Sequence, residues 1–500
     1  MQENHSVTHS GSTQKLYRCG TLTYTSIGLM MLFVWLLWGD FVYVIMEDVL
    51  PNLMPLKFQA LGASNLEMAL VGSTIPTIVY SVMNPVISFK SDRFRSRWGR
   101  RIPLIAVTIL PIVICLVGVA YSEPIGGWLH GKLDLMHYHL SSKSVILITI
   151  GGMLACFSFF NTFVNTVFWY LFNDVVPEHL LARFMSWFRL VSQLSNSAFC
   201  FWILPWADPR SPMFDTYMKW IFLGGAILYL VGFGSMCIFV KEGEYPPPPE
   251  NIDGKEGSFS ATKSYLVECL TVKHYWYQWA NVFIGSIGGG VNAFGTLFQL
   301  AIGLSMAQIG FIRGCTGLEV AVLVLGTGWL ADKYHPIRVV LAGGCFGLMI
   351  ATPLSIYCWT YWHPTGKMAY WVALVLAFGI QAPGAAMGAM ADPPLLMRMF
   401  PRERYGQFCS TNAVFRAMGG VVGSLIAGEA LDYIGKFVGA DNAYFYIPVW
   451  QFVFGIPSLL LFFGYFLSWK RLGGDDDYVP PLPPASNVDA TRMVEHPVHS

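Results

Sequence analysis

The chain has 500 residues, 54% of them hydrophobic and only 12% charged, with a mean hydropathy of +0.50. Soluble domains carry roughly 25% charged residues, so a string of soluble domains is excluded. A net charge of +1 offers no basic stripe for nucleic acid. The ten cysteines lie mostly in apolar runs and have no zinc-ligand spacing, which excludes a disulfide framework.

Residues 1–26 are polar at their start and hold no apolar core of a signal peptide. The first apolar run is therefore expected to be an uncleaved membrane-inserting helix, residues 1–26 forming a cytoplasmic tail. Crossing a bilayer takes about 20 apolar residues. Runs of that length occur at 27–50, 67–89, 102–121, 145–171, 184–206, 217–240, 276–302, 306–330, 338–357, 369–391, 408–430 and 445–468. Twelve spans are thus expected, as an all-α membrane protein with both termini cytoplasmic.

Charge tests that topology. Between the second and third runs lies SDRFRSRWGRR, with Arg93, Arg95, Arg97, Arg100 and Arg101. A short basic connection stays on the cytoplasmic side. With the termini on that side, Lys57, Lys132, Lys143, Arg210, Lys219, Lys367 and Lys436 fall outside, Arg189, Arg313 and Arg416 fall within spans, and all other basic residues are cytoplasmic. Among the outer connections, the one after the third span contains His130, Asp134, His137 and His139. A solvated loop is the ordinary reading of it and metal ligation the minor one; no metal site is assigned.

The runs divide six and six, giving bundles at 27–240 and 276–468 around a central connection at 241–275. That connection starts with an extended Pro246–Pro249 spacer and ends in Ser260–His274. There a short interfacial helix would turn Tyr265, Leu266, Cys269 and Leu270 inward. After 468 the tail is acidic and Pro-rich (DDDYVPPLPP), and residues 469–500 are expected to be disordered. The halves echo each other: Ser91-Asp92-Arg93 matches Ala331-Asp332-Lys333, and Pro177…Phe184 matches Pro401…Phe408. Duplicated bundles with a site at their interface are a transporter design.

Polar side chains in spans are costly unless they face a wet cavity or a partner. Ser158, Asn161, Asn165 and Trp169 share one helical face. So do Arg189, Gln193 and Asn196, and a third stripe joins Asn281, Gly285, Gly288, Asn292, Thr296 and Gln299. Amides donate and accept, which suits a neutral, hydroxyl-rich ligand, and Trp169 offers a stacking face. Interhelical packing is the alternative. The predicted binding set is Asp40, Asn161, Asn165, Trp169, Arg189, Gln193, Asn196, Asn292 and Gln299. Asp40, Glu319 and Arg416 are the deepest ionisable groups and the candidates for proton coupling. Charges at the cytoplasmic helix ends, Asp92, Arg93, Arg100, Arg101, Asp174, Arg183 and Asp332, form the candidate gate that would hold the two bundles shut; setting topology is their simpler role.

The loop D-R-x(n)-G-R-R, with its degraded copy in the second half, resembles the major facilitator superfamily. Within it, SDRFRSRWGRRIP, Asn173-Asp174-Val175-Val176-Pro177 and Gly39-Asp40-Phe41 resemble the sucrose transporters and the glycoside–pentoside–hexuronide:cation symporters. The resemblance implies the major facilitator fold and alternating-access transport of a sugar or glycoside, in symport with a cation. Sodium-coupled relatives carry D-x-x-x-D-P late in the second span. This chain has Tyr80-Ser81-Val82-Met83-Asn84-Pro85 there, so a proton rather than sodium is expected. A uniporter, or an exporter of another small organic solute, stays open. No nucleophile elbow, zinc-protease motif or phosphate loop points to an enzyme, and no cofactor is implied. A monomer in a bacterial inner membrane is the expected setting.

Overall fold

The computed structural model describes residues 16–136, 140–245, 269–401 and 405–481. His137 and His139 fall outside them, as do Tyr265 and Leu266 of the expected interfacial helix. Nearly all of the described chain is helical, apart from one antiparallel hairpin of β1 (Tyr17–Cys19) and β2 (Leu22–Tyr24). In the first bundle α1 spans Ser26–Ala60, α2 Asn65–Ala69, α3 Ile75–Arg93, α4 Ile102–Ala120, α5 Ser122–Leu135, α6 Ser142–Val175, α7 Glu178–Ala198 and α8 Phe214–Phe239. In the second, α9 spans Lys273–Gly289, α10 Gly295–Ala301, α11 Met306–Tyr334, α12 Pro336–Phe346 and α13 Thr352–Ile356. It continues with α14 at Gly366–Leu376, α15 at Ala382–Met399, α16 at Tyr405–Val438, α17 at Ala440–Ala443, α18 at Ile447–Arg471 and α19 at Gly474–Asp477.

Helices occupy all twelve predicted runs, and among the described residues ten segments are long and apolar enough to cross a membrane. The runs at 184–206 and 276–302 are helical but miss that criterion. They carry two of the polar stripes, so their composition is diluted where they meet the interior. The first also widens into a π-helical turn at Phe199–Ile203, and the second tightens into a 3-10 turn at Gly290–Phe294.

The length of α1 decides what it presents inside. Thr25 caps it, its Oγ1 accepting from the Gly28 N–H at 3.1 Å. At 1.5 Å per residue its 35 residues extend about 50 Å, well beyond a hydrocarbon core of about 30 Å. The helix continues past Pro51 and Pro55 to Ala60. Glu47 and Asp48, which close the first span in the sequence reading, therefore lie within the bundle.

Both ends of the described chain pack on one side. The hairpin seats Cys19 against the end of α6, its Sγ donating to the Asp174 and Val176 carbonyls at 3.5 Å. The expected disorder after α18 does not hold for residues 472–481. Tyr478 donates to the Met399 carbonyl at 2.9 Å, Tyr275 donates to that of Pro481 at 3.2 Å, and Asp475 pairs with Arg338. Composition marks such a segment as soluble; it cannot reveal an arginine and a buried carbonyl waiting for it. Residues 482–500 lie outside the described ones. Nearby, His335 adopts φ +62° and its ring packs on Trp469. Burial, followed by the positive charge of Arg398, pushes its imidazole down to about 4.

On the opposite side, called the far side below, the bundles touch. Asp432 of α16 accepts from the Asn65 N–H at 2.9 Å, the Asn65 amide at 2.8 Å and the Leu66 N–H at 3.0 Å. Tyr444 donates to Asn65 Oδ1 at 2.7 Å, and the Thr74 and Ser424 hydroxyls meet at 3.0 Å. Two glycines permit this approach. A Cβ on Gly428 would stand 2.7 Å from the Asn65 carbonyl, and one on Gly310 would stand 2.2 Å from that of Cys200. Arg210 also reaches the Leu300 carbonyl across the bundles at 3.2 Å, and Arg313 reaches Asn52 at the inner limit of these contacts. The far side is closed.

The connection after α4, expected as a solvated loop, begins with α5. Glu123 at its start pairs with the buried Lys57, which also reaches Asp215 at 3.3 Å. His130 Nε2 stands 3.8 Å from Asp134, one turn along.

Candidate functional site

Between the bundles lies a cavity of about 620 Å³. From the first bundle α1 supplies Glu47 and Asn52, α3 supplies Thr77 and Tyr80, and α6 supplies Ser158, Asn161 and Asn165. Across it stand Asn292 and Thr296, with Arg313 from α11. A second cavity of about 340 Å³ is lined by Gln193, Asn196, Gln299, Thr316 and Gln381. Asn52 and Arg313 belong to both walls, so they partition the two spaces.

Helical phase explains the gathering of the α6 residues, since i, i+3 and i+7 share one face. Asn161 donates to Glu47 Oε1 at 2.8 Å, which holds that carboxylate toward the cavity. The third stripe does not stay intact. Asn281 turns away to accept from Ser458 at 2.8 Å, an interhelical tie. The 3-10 turn at Gly290–Phe294 then changes the phase, sending Asn292 and Thr296 to the larger cavity and Gln299 to the smaller. Asn292 is steadied there by Gln451, which donates to its Oδ1 at 3.2 Å.

Thus Asn161, Asn165 and Asn292 meet in one cavity and Gln193, Asn196 and Gln299 in the other, while Asp40, Trp169 and Arg189 line neither. Asp40 is 1% exposed, held between α1 and α7 by Ser192, whose Oγ donates at 2.8 Å. Trp169 packs edge-on against Phe172 and Phe188. Arg189 is exposed on α7. Glu319 is half-buried on α11, and Arg416 pairs with Asp392 of its own bundle at 3.3 Å.

Sequence reasoning missed a group on α1. Asn196 donates to Asp48 Oδ2 at 2.9 Å, and Asn52 donates to the Asp48 carbonyl at 2.8 Å. The Asn52 Oδ1 in turn accepts from Arg313 Nη1 at 2.5 Å and from Thr296 at 3.4 Å. The signal was present: Glu47, Asp48 and Asn52 sit at i, i+1 and i+5 in one unbroken helix. Asn84 accepts from Thr166 at 2.7 Å.

Three of the candidate gate residues meet at the start of α4 and the end of α6. Arg100 and Arg101 both pair with Asp174, at 2.5 and 3.1 Å. Glu242 accepts the backbone N–H groups of Arg100, Arg101 and Ile102. These contacts tie α4, α6 and the segment after α8 within one bundle, and do not bridge the two. Arg93 ends α3 and Arg183 is exposed on α7; the side chains of Asp92 and Asp332 are not among the described ones. Burial, aided by Glu242 and Asp174, pushes the phenol of Tyr245 up beside this cluster.

The Major Facilitator Superfamily family model matches residues 301–494. An uncharacterized MFS-type transporter of Methanocaldococcus jannaschii is 21% identical over 416 residues, covering 82% of this chain and 92% of the relative. Among solved structures, a point mutant of the nucleoside transporter NupG is similar with TM-score 0.61 and 12% identity, over 88% of this chain and 100% of that one. An inward-facing, occupied bacterial homolog of the human lysosomal transporter Spinster gives 0.58 at 15% identity, over 90% and 99%. Likeness at this level speaks for the fold alone.

Proposed function

We propose that this chain, a membrane transporter of the major facilitator type and not an enzyme, carries a sugar or glycoside by alternating access in symport with a proton. The observation that carries this reading is the convergence of Glu47, Asn161 and Asn165 of one bundle with Asn292 of the other on a cavity of about 620 Å³. Small-molecule sites commonly occupy about 300–1,000 Å³. Three amides can both donate and accept, and a carboxylate accepts two hydroxyls. Tyr80, Phe157 and Phe294 add flat apolar surface against which the C–H face of a pyranose can lie.

Position in the interface supplies the transport logic. A ligand touching both bundles gains its full contacts only when they close around it, so its binding energy drives their rocking. The basic residues collect on the side of the termini, which supports a cytoplasmic location for both ends. On that reading the closed far side makes this an inward-facing state, in a monomer of a bacterial inner membrane. Asn84 and its Thr166 partner leave no carboxylate pair for sodium in α3.

A nucleoside is the second reading. The same aromatic wall suits a base, the amides suit a ribose, and the NupG likeness is compatible with it. Thermal melting of the solubilised protein against a panel of monosaccharides, disaccharides and nucleosides decides. A ligand of the native state raises the melting temperature by mass action. Stabilisation by at least one sugar supports the proposal, and stabilisation by nucleosides alone refutes it.

A further inference from the structure

We infer that Asp48 is the proton-binding site of this transporter, and that its charge acts on far-side closure through Arg313 of the opposite bundle. The inference rests on the proton-coupled reading above and names the group that reading lacks. Asp40 is walled off between α1 and α7, and Ser192, which donates to it, belongs to its own bundle.

Asp48 stands at the centre of a chain of contacts that crosses the interface. Asn196 of α7 donates to its carboxylate, Asn52 donates to its carbonyl, and Asn52 Oδ1 receives Arg313 of α11 and Thr296 of α10. Asn196, Asn52 and Arg313 are all cavity-lining, so the carboxylate lies one side chain from both spaces. The charged and titratable groups facing it are Glu47 on its own helix, Arg313 from α11 and Cys200 from the turn after α7. Of these Glu47 is tied to Asn161 on the other face of α1. Arg313 is the cation that answers Asp48, and it comes from the other bundle.

The physical consequence follows from charge. With Asp48 ionised, the guanidinium of Arg313 has a counter-charge nearby and the bundles are drawn together beside their far-side contacts. Protonation neutralises the carboxylate and leaves Arg313 with neutral oxygen acceptors. An uncompensated cation in such a site is strongly unfavourable, and parting the bundles returns it to water. Proton binding therefore shifts the chain toward the far-side-open form, which on the cytoplasmic assignment of the termini is the form that meets sugar outside.

Hydrogen–deuterium exchange on the full-length protein in nanodiscs, without any sugar, tests this with the proton as the only ligand. Exchange at residues 65–69 and 427–432, corrected for intrinsic rate, should rise about fivefold or more from pH 8 to pH 5.5 in wild type. Asp48→Asn keeps an oxygen for Asn196 and should show the fast exchange already at pH 8 with no further response. Arg313→Gln, which removes the other charge, should do the same, while Asp40→Asn should respond as wild type. A full pH response retained in Asp48→Asn, or one abolished by Asp40→Asn, overturns the assignment. Sugar stabilisation alongside a pH-insensitive far side would reject this inference alone; a pH response in a protein no sugar stabilises would reject the sugar reading alone.

Discussion

Asp432→Ala should open the far side. Its carboxylate accepts three donors from the start of α2, two of them backbone N–H groups at a helix N-terminus. Hydrogen bonds to a charged group contribute roughly 1.5–3 kcal/mol, and an anion at a helix N-terminus adds about 0.3–1 kcal/mol. Ser64 still caps α2 through the Glu67 N–H, and water can replace part of the lost contact once the bundles separate. A net loss of about 2 kcal/mol in the closed form is the reasonable expectation, roughly a thirtyfold shift toward opening. Cys200 is a native reporter: it is 3% exposed, and its carbonyl lies beneath Gly310 in the same closure. Its modification by N-ethylmaleimide, followed peptide by peptide, should accelerate by that order in Asp432→Ala and less in Asp432→Asn. Labelling of Cys200 at the wild-type rate in a folded Asp432→Ala protein would refute the reasoning.

Gly428→Val places a side chain where a Cβ already stands 2.7 Å from the Asn65 carbonyl, so it should also accelerate Cys200 labelling without altering the cavity. Glu47→Gln retains an acceptor but not the charge, and should weaken binding of a stabilising sugar by about 1–2 kcal/mol, read by calorimetry. His335 is held neutral, its value pushed down to about 4 against an ordinary value of about 6.5. The unfolded chain takes its proton first, so this contribution is complete above about pH 6.5 and is lost as pH falls toward 4. Replacement by Asn, which tolerates the positive φ, should flatten melting temperature against pH in that window. Tyr478→Phe removes the donor to the Met399 carbonyl and should raise exchange in residues 474–481 while leaving exchange in α6 unchanged.

The helical architecture was legible because hydrocarbon demands it: apolar runs of sufficient length have few alternatives to a spanning helix. The α6 face was legible for the same kind of reason, since Asn161 and Asn165 keep strict phase along one uninterrupted helix. Phase failed where the helix broke, and the stripe from Asn281 to Gln299 was divided by the turn at Gly290–Phe294. Glu47 and Asp48 stood at the end of the first run, 27–50, and Asn52 beyond it. A pair of acids followed by Pro51 looks like a span end, yet Pro bends a helix that its neighbours can still support. Asp40 drew attention by its depth in a span, but depth does not distinguish a wall from a lumen; Ser192 made it part of the wall. A partner across space, such as Asp392 for Arg416, belongs to tertiary packing and leaves no mark in local sequence.

Uptake by purified protein in liposomes tests the central claim most directly. With radiolabelled sugars outside and a pH gradient acid outside, at least one sugar should accumulate above its external concentration. A protonophore should abolish that accumulation, and replacing sodium by choline should leave it intact. Absence of uptake for every sugar in a protein that carries nucleosides, or accumulation that requires sodium and ignores the pH gradient, would contradict the account.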